Sequence, residues 1–122
     1  MSSLSDDTLR KILVQIQTTA ANAHKNLGAT KQQIAVKERE RRILQLTIEE
    51  ITGLEPDVNL YKGVGKMFMM EPRPDMEKSL KDEEKTLTDD LNNLGKKAKY
   101  LEKQFTDAQN QLRDIFNSAP RQ

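Results

Sequence analysis

Cysteine and tryptophan are absent from this 122-residue sequence, histidine occurs once, and aromatic residues make up only 4%. Without cysteine, neither a disulfide framework nor a thiolate zinc site can form. The single histidine, His24, falls outside any apolar repeat and reads as a solvated side chain, because a ligand or general base needs convergent partners. No run approaches the ~18 apolar residues of a membrane span. The opening MSSLSDD lacks the basic start and apolar core of a signal peptide, so a soluble, cytoplasmic protein without a membrane partner is the expectation. An excess of one charge is lacking too: 20 basic and 19 acidic residues are finely interspersed, with a net charge of +1. Such mixing marks solvated helix surfaces and argues against a nucleic-acid footprint. The alternating run Lys37-Glu38-Arg39-Glu40-Arg41-Arg42 is read in the same way.

Only 35% of residues are hydrophobic while 32% are charged. That is thin for one globular core of this length. It suits helices that bury a narrow seam. Glycine and proline are few, and most of them lie within or beside one stretch, Asp57–Glu71. Pro56 stands before it and Pro72-Arg73-Pro74 after it, so neither flanking helix can run through. Inside, Leu60–Val64 and Lys66–Met70 read as a β-hairpin broken by Gly63 and Gly65. A lone two-stranded hairpin is marginal in water, and its edges and apolar side chains need partners this chain does not contain. Leu60, Tyr61, Val64, Met67, Phe68, Met69 and Met70 are therefore the candidate assembly residues, and the chain is expected to be a subunit. For Met67–Met70, which lacks polar alternation, burial on both faces in an assembly is preferred over an adaptable, free methionine surface.

On either side the pattern is helical. Ser5 can cap a first helix over about residues 5–52, with Asp6 and Asp7 set against its dipole. Its seam runs Leu9, Leu13, Ile16, Ala20, Ala23, Leu27, Thr30, Ile34, Lys37, Arg41, Leu44, Ile48, Ile51, in steps of four and three. Gly53 supplies a stop. A second helix over about 75–117 opens with Asp75 as N-cap and carries the seam Leu80, Glu84, Leu87, Leu91, Leu94, Ala98, Leu101, Phe105, Ala108, Leu112, Ile115. The fold class follows: mainly α, a single unit over residues 1–122, with a long antiparallel two-helix coiled coil and a small β-hairpin between the helices. Matching small residues to large ones sets Ala20 opposite Phe105 and Ala23 opposite Leu101. The same register pairs Arg41 with Glu84, the charged interruptions of the two seams.

Nothing in the sequence points to catalysis or to a cofactor. Gly63-Val64-Gly65-Lys66 has the wrong glycine spacing for a phosphate loop, and Met67 follows the lysine where Ser or Thr is needed. At the chain ends, Leu4, Ile12, Val14 and Phe116 are apolar yet lie outside the seam. Two readings stand: fraying of a long coil, or a sticky tip that holds apolar segments of another protein.

The order helix, hairpin, helix, with Tyr61-Lys62-Gly63-Val64-Gly65-Lys66-Met67-Phe68 in the hairpin, later Leu80, and the Lys99-Tyr100-Leu101-Glu102 step, resembles the β-class subunits of the prefoldin family. Met69-Met70 departs from the usual end of the second strand, and Pro72 and Pro74 stiffen the entry to the second helix. The resemblance implies a hexameric, ATP-independent holdase built from α- and β-class subunits whose hairpins join into a platform. It also implies that coiled-coil tips capture unfolded actin and tubulin and deliver them to the cytosolic chaperonin. On that reading Tyr61, Val64 and Met67–Met70 serve assembly, and Leu4, Ile12, Val14 and Phe116 meet clients. The rival is a structural coiled-coil tether of a cytoskeletal or vesicle complex, without client binding.

Overall fold

The structure is a computed structural model and describes residues 5–118. Four elements follow in order: helix α1 (Asp6–Gly53), strand β1 (Leu60–Val64), strand β2 (Met67–Glu71) and helix α2 (Arg73–Ser118). They divide into two compact units. One joins α1 up to Gln33 with α2 from Leu94; the other is Ile34–Asn93 and contains the hairpin.

The helix ends show why the elements stop where they do. Ser5 caps α1: its hydroxyl oxygen accepts the Thr8 amide at 3.2 Å, and its carbonyl accepts the Leu9 amide at 3.0 Å. Asp6 and Asp7 occupy the first turn, where the dipole favours negative charge. At the other end, Gly53 is the last helical residue but does not adopt the left-handed cap expected of it, since Gly65 is the only residue with positive φ among those described. The chain turns instead at Glu55–Val58, closed by the Val58 amide on the Glu55 carbonyl at 3.1 Å, with Pro56 preset for the second position. The Arg73 guanidinium then donates to the Leu54 and Glu55 carbonyls at 3.0 and 2.6 Å, just past the end of α1, the Glu55 carbonyl accepting from both Arg73 and Val58. Helix α2 opens at Arg73, two residues before the expected Asp75. Pro74 takes a first-turn position that needs no amide, and the Pro72 carbonyl accepts from Asp75 and Met76.

In the unit that holds the chain's outer helical segments, Ala20, Ala23, Leu27, Leu101 and Ala108 are buried. Thr30, the one polar member of this core, is 1% exposed and donates its hydroxyl to the Asn26 carbonyl at 2.8 Å. That bond removes the penalty an unpaired hydroxyl would carry there. The exposed His24 packs its ring against Phe105, with centroids 5.1 Å apart. In the unit Ile34–Asn93, Leu44, Ile51 and Leu60 are buried. There the two helices run antiparallel, tied by Lys37–Asp90 at 3.4 Å, Arg41–Thr88 at 3.5 Å and Gln45–Glu84 at 3.0 Å.

These contacts correct the expected register by about one helical turn. Arg41 meets Thr88 rather than Glu84, and Glu84 accepts from Gln45. Lys37–Asp90 is the only ion pair within 4.0 Å among the described residues. Phe105, expected level with Ala20, lies against His24. The Arg73 side chain ties the first residue of α2 to the carbonyls just after α1, where the second helix begins its return. A part-exposed charge pair worth about 0.5 kcal/mol is too weak to set the register by itself.

Candidate functional site

The hairpin is built on a two-residue loop, Gly65-Lys66, so Lys66 belongs to the turn and the second strand starts at Met67. Gly65 has φ +61° and the residue after it does not have positive φ, which is the sign pattern of a type II′ turn that follows the twist of the strands. Gly63 is no turn residue. It pairs with Phe68 inside the sheet, and a Cβ placed there would sit 3.8 Å from the Phe68 ring, so that ring covers the glycine.

The pairing register assigns the two faces. Because side chains alternate along each strand and directly paired residues share a face, Tyr61, Phe68 and Met70 project from one side, and Lys62, Val64, Met67 and Met69 from the other. Apolar groups stand on both. Phe68 is 76% exposed and Met67 67% exposed, and Tyr61, Val64, Met69 and Met70 are also at least half exposed. Leu60 is the exception: at 8% exposure it is part of the chain's own core, next to Glu71 at the base of the sheet, and is not available as an assembly residue. Both strands carry an unpaired edge, since the sheet has two strands among the described residues. Full burial of a side chain such as Phe or Met is worth about 1.5–3 kcal/mol, so six exposed apolar groups represent a large unmet driving force for association.

The residues read as a client-holding tip fare unevenly. Val14 and Phe116 are exposed, at 59% and 60%. Ile12 is half-buried, and Leu4 lies outside the described residues. Val14 lines a shallow surface groove with Arg10, Lys11 and Gln15, so its apolar surface is framed by basic and polar neighbours. Sequence reasoning misses a second exposed apolar set on α1, Val36, Ile43 and Leu46. Val36 and Ile43 stand one heptad apart outside the seam, and that spacing is the available signal. It also misses Arg73, whose role depends on carbonyls that no side-chain pattern reveals.

Among the described residues, no group of three or more His, Cys, Asp or Glu side chains could hold a metal ion, and no helix of the described chain is long and apolar enough to cross a membrane. What the site offers is a binding surface of aromatic rings, thioethers and open strand edges.

Comparison with known proteins finds relatives along nearly the whole chain. The family described as "Prefoldin subunit" matches residues 14–119. The chain is 30% identical to prefoldin subunit 1 of Arabidopsis thaliana over 121 residues, covering 96% of this chain and 91% of that protein. It is 25% identical to prefoldin subunit 1 of Homo sapiens over 116 residues, covering 95% of each. Its fold is similar to the crystal structure of the prefoldin beta subunit from Thermococcus strain KS-1, with a TM-score of 0.82 at 20% identity, covering 98% of this chain and all of that one.

Proposed function

Because this chain belongs to the prefoldin family, as a chaperone subunit that assembles with other prefoldin subunits, we propose that it is a β-class member of a hexameric, ATP-independent holdase working in the cytoplasm. Its hairpin docks onto the hairpins of neighbouring α- and β-class subunits. The ends of its helices hold unfolded chains of the actin and tubulin class and pass them to the cytosolic chaperonin. The observation that carries the reading is the hairpin: six apolar side chains exposed on two faces of a sheet with both edges open. A sheet of this kind is completed by other strands. Edge pairing supplies the main-chain hydrogen bonds, and the exposed rings and thioethers supply the buried area.

Client holding draws on Val14 and Phe116, which the seam does not cover. Each contact is weak alone, at ~25 cal/mol per Å² of apolar surface buried. Several subunits gripping one client multiply such contacts through effective concentration. The test is aggregation suppression of an unfolded chain by the reassembled complex in the absence of ATP. Wild-type complex should suppress aggregation. With Val14→Ser and Phe116→Ser in this subunit the suppression should fall in part, and with the equivalent ends of several subunits changed it should fall steeply. The Ser variants should change stability by no more than about 0.5 kcal/mol, as exposed substitutions do. Undiminished suppression by an intact complex whose ends are all replaced would leave the structural tether as the better account.

A further inference from the structure

Three of the chain's five methionines, Met67, Met69 and Met70, fall within β2, a strand of five residues. They are 67%, 56% and 63% exposed, whereas Met76 on α2 is half-buried. The register sends Met67 and Met69 to one face of the hairpin and Met70 to the other. Neither face of the unassembled subunit is therefore protected, and neither would be unaffected if these sulfurs became polar.

We infer that β2 is an oxidation-sensitive segment: hydroperoxides convert Met67, Met69 and Met70 of the unassembled subunit to methionine sulfoxide, and the modified subunit is barred from assembly. In each step a sulfur lone pair attacks the terminal oxygen of the peroxide. The O–O bond breaks, an S–O bond forms, the sulfur loses two electrons, and hydrogen peroxide leaves as water. Thioether sulfur needs no activation by a neighbouring base, so access decides which methionines react. The product replaces a flexible apolar group by a strongly dipolar acceptor. Carrying that acceptor into an apolar interface costs free energy unless a donor meets it. The only charged donors on the hairpin itself are Lys62 and the turn residue Lys66, and β2 contributes just the acidic Glu71. The sensitivity belongs to the free state, because assembly covers the same sulfurs. Enzymatic reduction of the sulfoxides restores the thioethers and with them the competence to assemble. This inference rests on the hairpin being the assembly surface.

The experiment treats the isolated subunit with hydrogen peroxide, locates sulfoxides by peptide mass spectrometry, and then mixes it with its partner subunits, reading incorporation by native mass spectrometry. Met67, Met69 and Met70 should oxidise well ahead of Met76, and incorporation should fall at least about tenfold, the factor that corresponds to 1.4 kcal/mol. Methionine sulfoxide reductases should restore it. A triple variant, M67L/M69L/M70L, keeps the apolar volume and is compared with its own untreated form, whose incorporation, whatever its level, peroxide should not lower. Treatment of the preformed complex should leave β2 largely unmodified. Undiminished incorporation of subunit oxidised at all three positions would overturn the inference, as would an equal loss in the triple Leu variant. Failure of the assembly reading itself is distinguished by Phe68→Asp: if that variant also incorporates normally, the hairpin is not the docking surface, whereas if it is excluded while oxidised subunit enters, only the oxidation inference fails.

Discussion

Along the seam, every apolar position from Leu9 to Ile51 of α1 and from Leu80 to Ile115 of α2 is buried or half-buried, whereas in the hairpin the apolar side chains from Tyr61 to Met70 stand exposed and only Leu60 is covered. The two regions hold the same kinds of groups in different settings. In the seam each helix covers the other's apolar groups, and the buried hydroxyl of Thr30 is satisfied within its own helix, on the Asn26 carbonyl. In the hairpin, two strands pair only with each other among the described residues and leave two edges and two faces open. The seam thus holds the subunit together, and the hairpin is where it depends on other chains.

The sharpest way to separate the two is to place a charge in each setting. Phe68→Asp should abolish incorporation into the complex, because an unpaired carboxylate in an apolar interface costs several kcal/mol. The same change should leave the helical circular dichroism of the subunit intact, since Phe68 pairs with Gly63 within the sheet and is 76% exposed. Size analysis and circular dichroism of the variant check both halves. A loss of helicity would show that the regions are not separable in this way.

The converse change targets the seam. Leu27 and Leu101 are 7% and 6% exposed. Leu27→Ala or Leu101→Ala should lower stability by about 2–5 kcal/mol through lost burial and the cavity left behind. Chemical denaturation reads this directly, and at temperatures where the variant stays folded its incorporation should be unimpaired.

The smallest effect belongs to the polar links between the helices. Lys37 and Asp90 lie 3.4 Å apart with side chains 35% and 42% exposed. A double-mutant cycle with Lys37→Ala and Asp90→Ala should give a coupling of about 0.5 kcal/mol or less, reduced further by salt. A coupling well above 1 kcal/mol would mean that the seam relies on this pair for more than alignment.

The contrast between the regions is legible in the amino-acid sequence. The four-and-three spacing identifies the seams because burial in a two-helix pair depends on little besides periodicity. The crowded, charge-poor stretch between prolines identifies the hairpin because few other structures suit it. Register is not legible in the same way. Matching Ala20 to Phe105 and Arg41 to Glu84 relies on side-chain size and charge, whose energies change little over a shift of one turn. Nor does the heptad pattern show the links at the connector: the Arg73 guanidinium bonds to the carbonyls of Leu54 and Glu55, and α2 starts at Arg73 rather than Asp75. The strand boundary slips for a related reason. Gly63 and Gly65 look alike in sequence, but only Gly65 has the positive φ of the turn, while Gly63 lies flat beneath Phe68. Leu60 is misread because an apolar residue at the base of a strand can face either its own helices or a neighbour, and composition does not distinguish them.

Hydrogen–deuterium exchange across Leu60–Glu71, in the free subunit and in the reconstituted complex, tests the central claim most directly. Two of the four strand edges have no partner among the described residues, so their amides should exchange rapidly in the free subunit and become strongly protected once neighbouring strands cover them. Seam amides around Ala23–Thr30 should be protected in both states. Equal, fast exchange of the hairpin amides in the free and assembled forms would contradict the account.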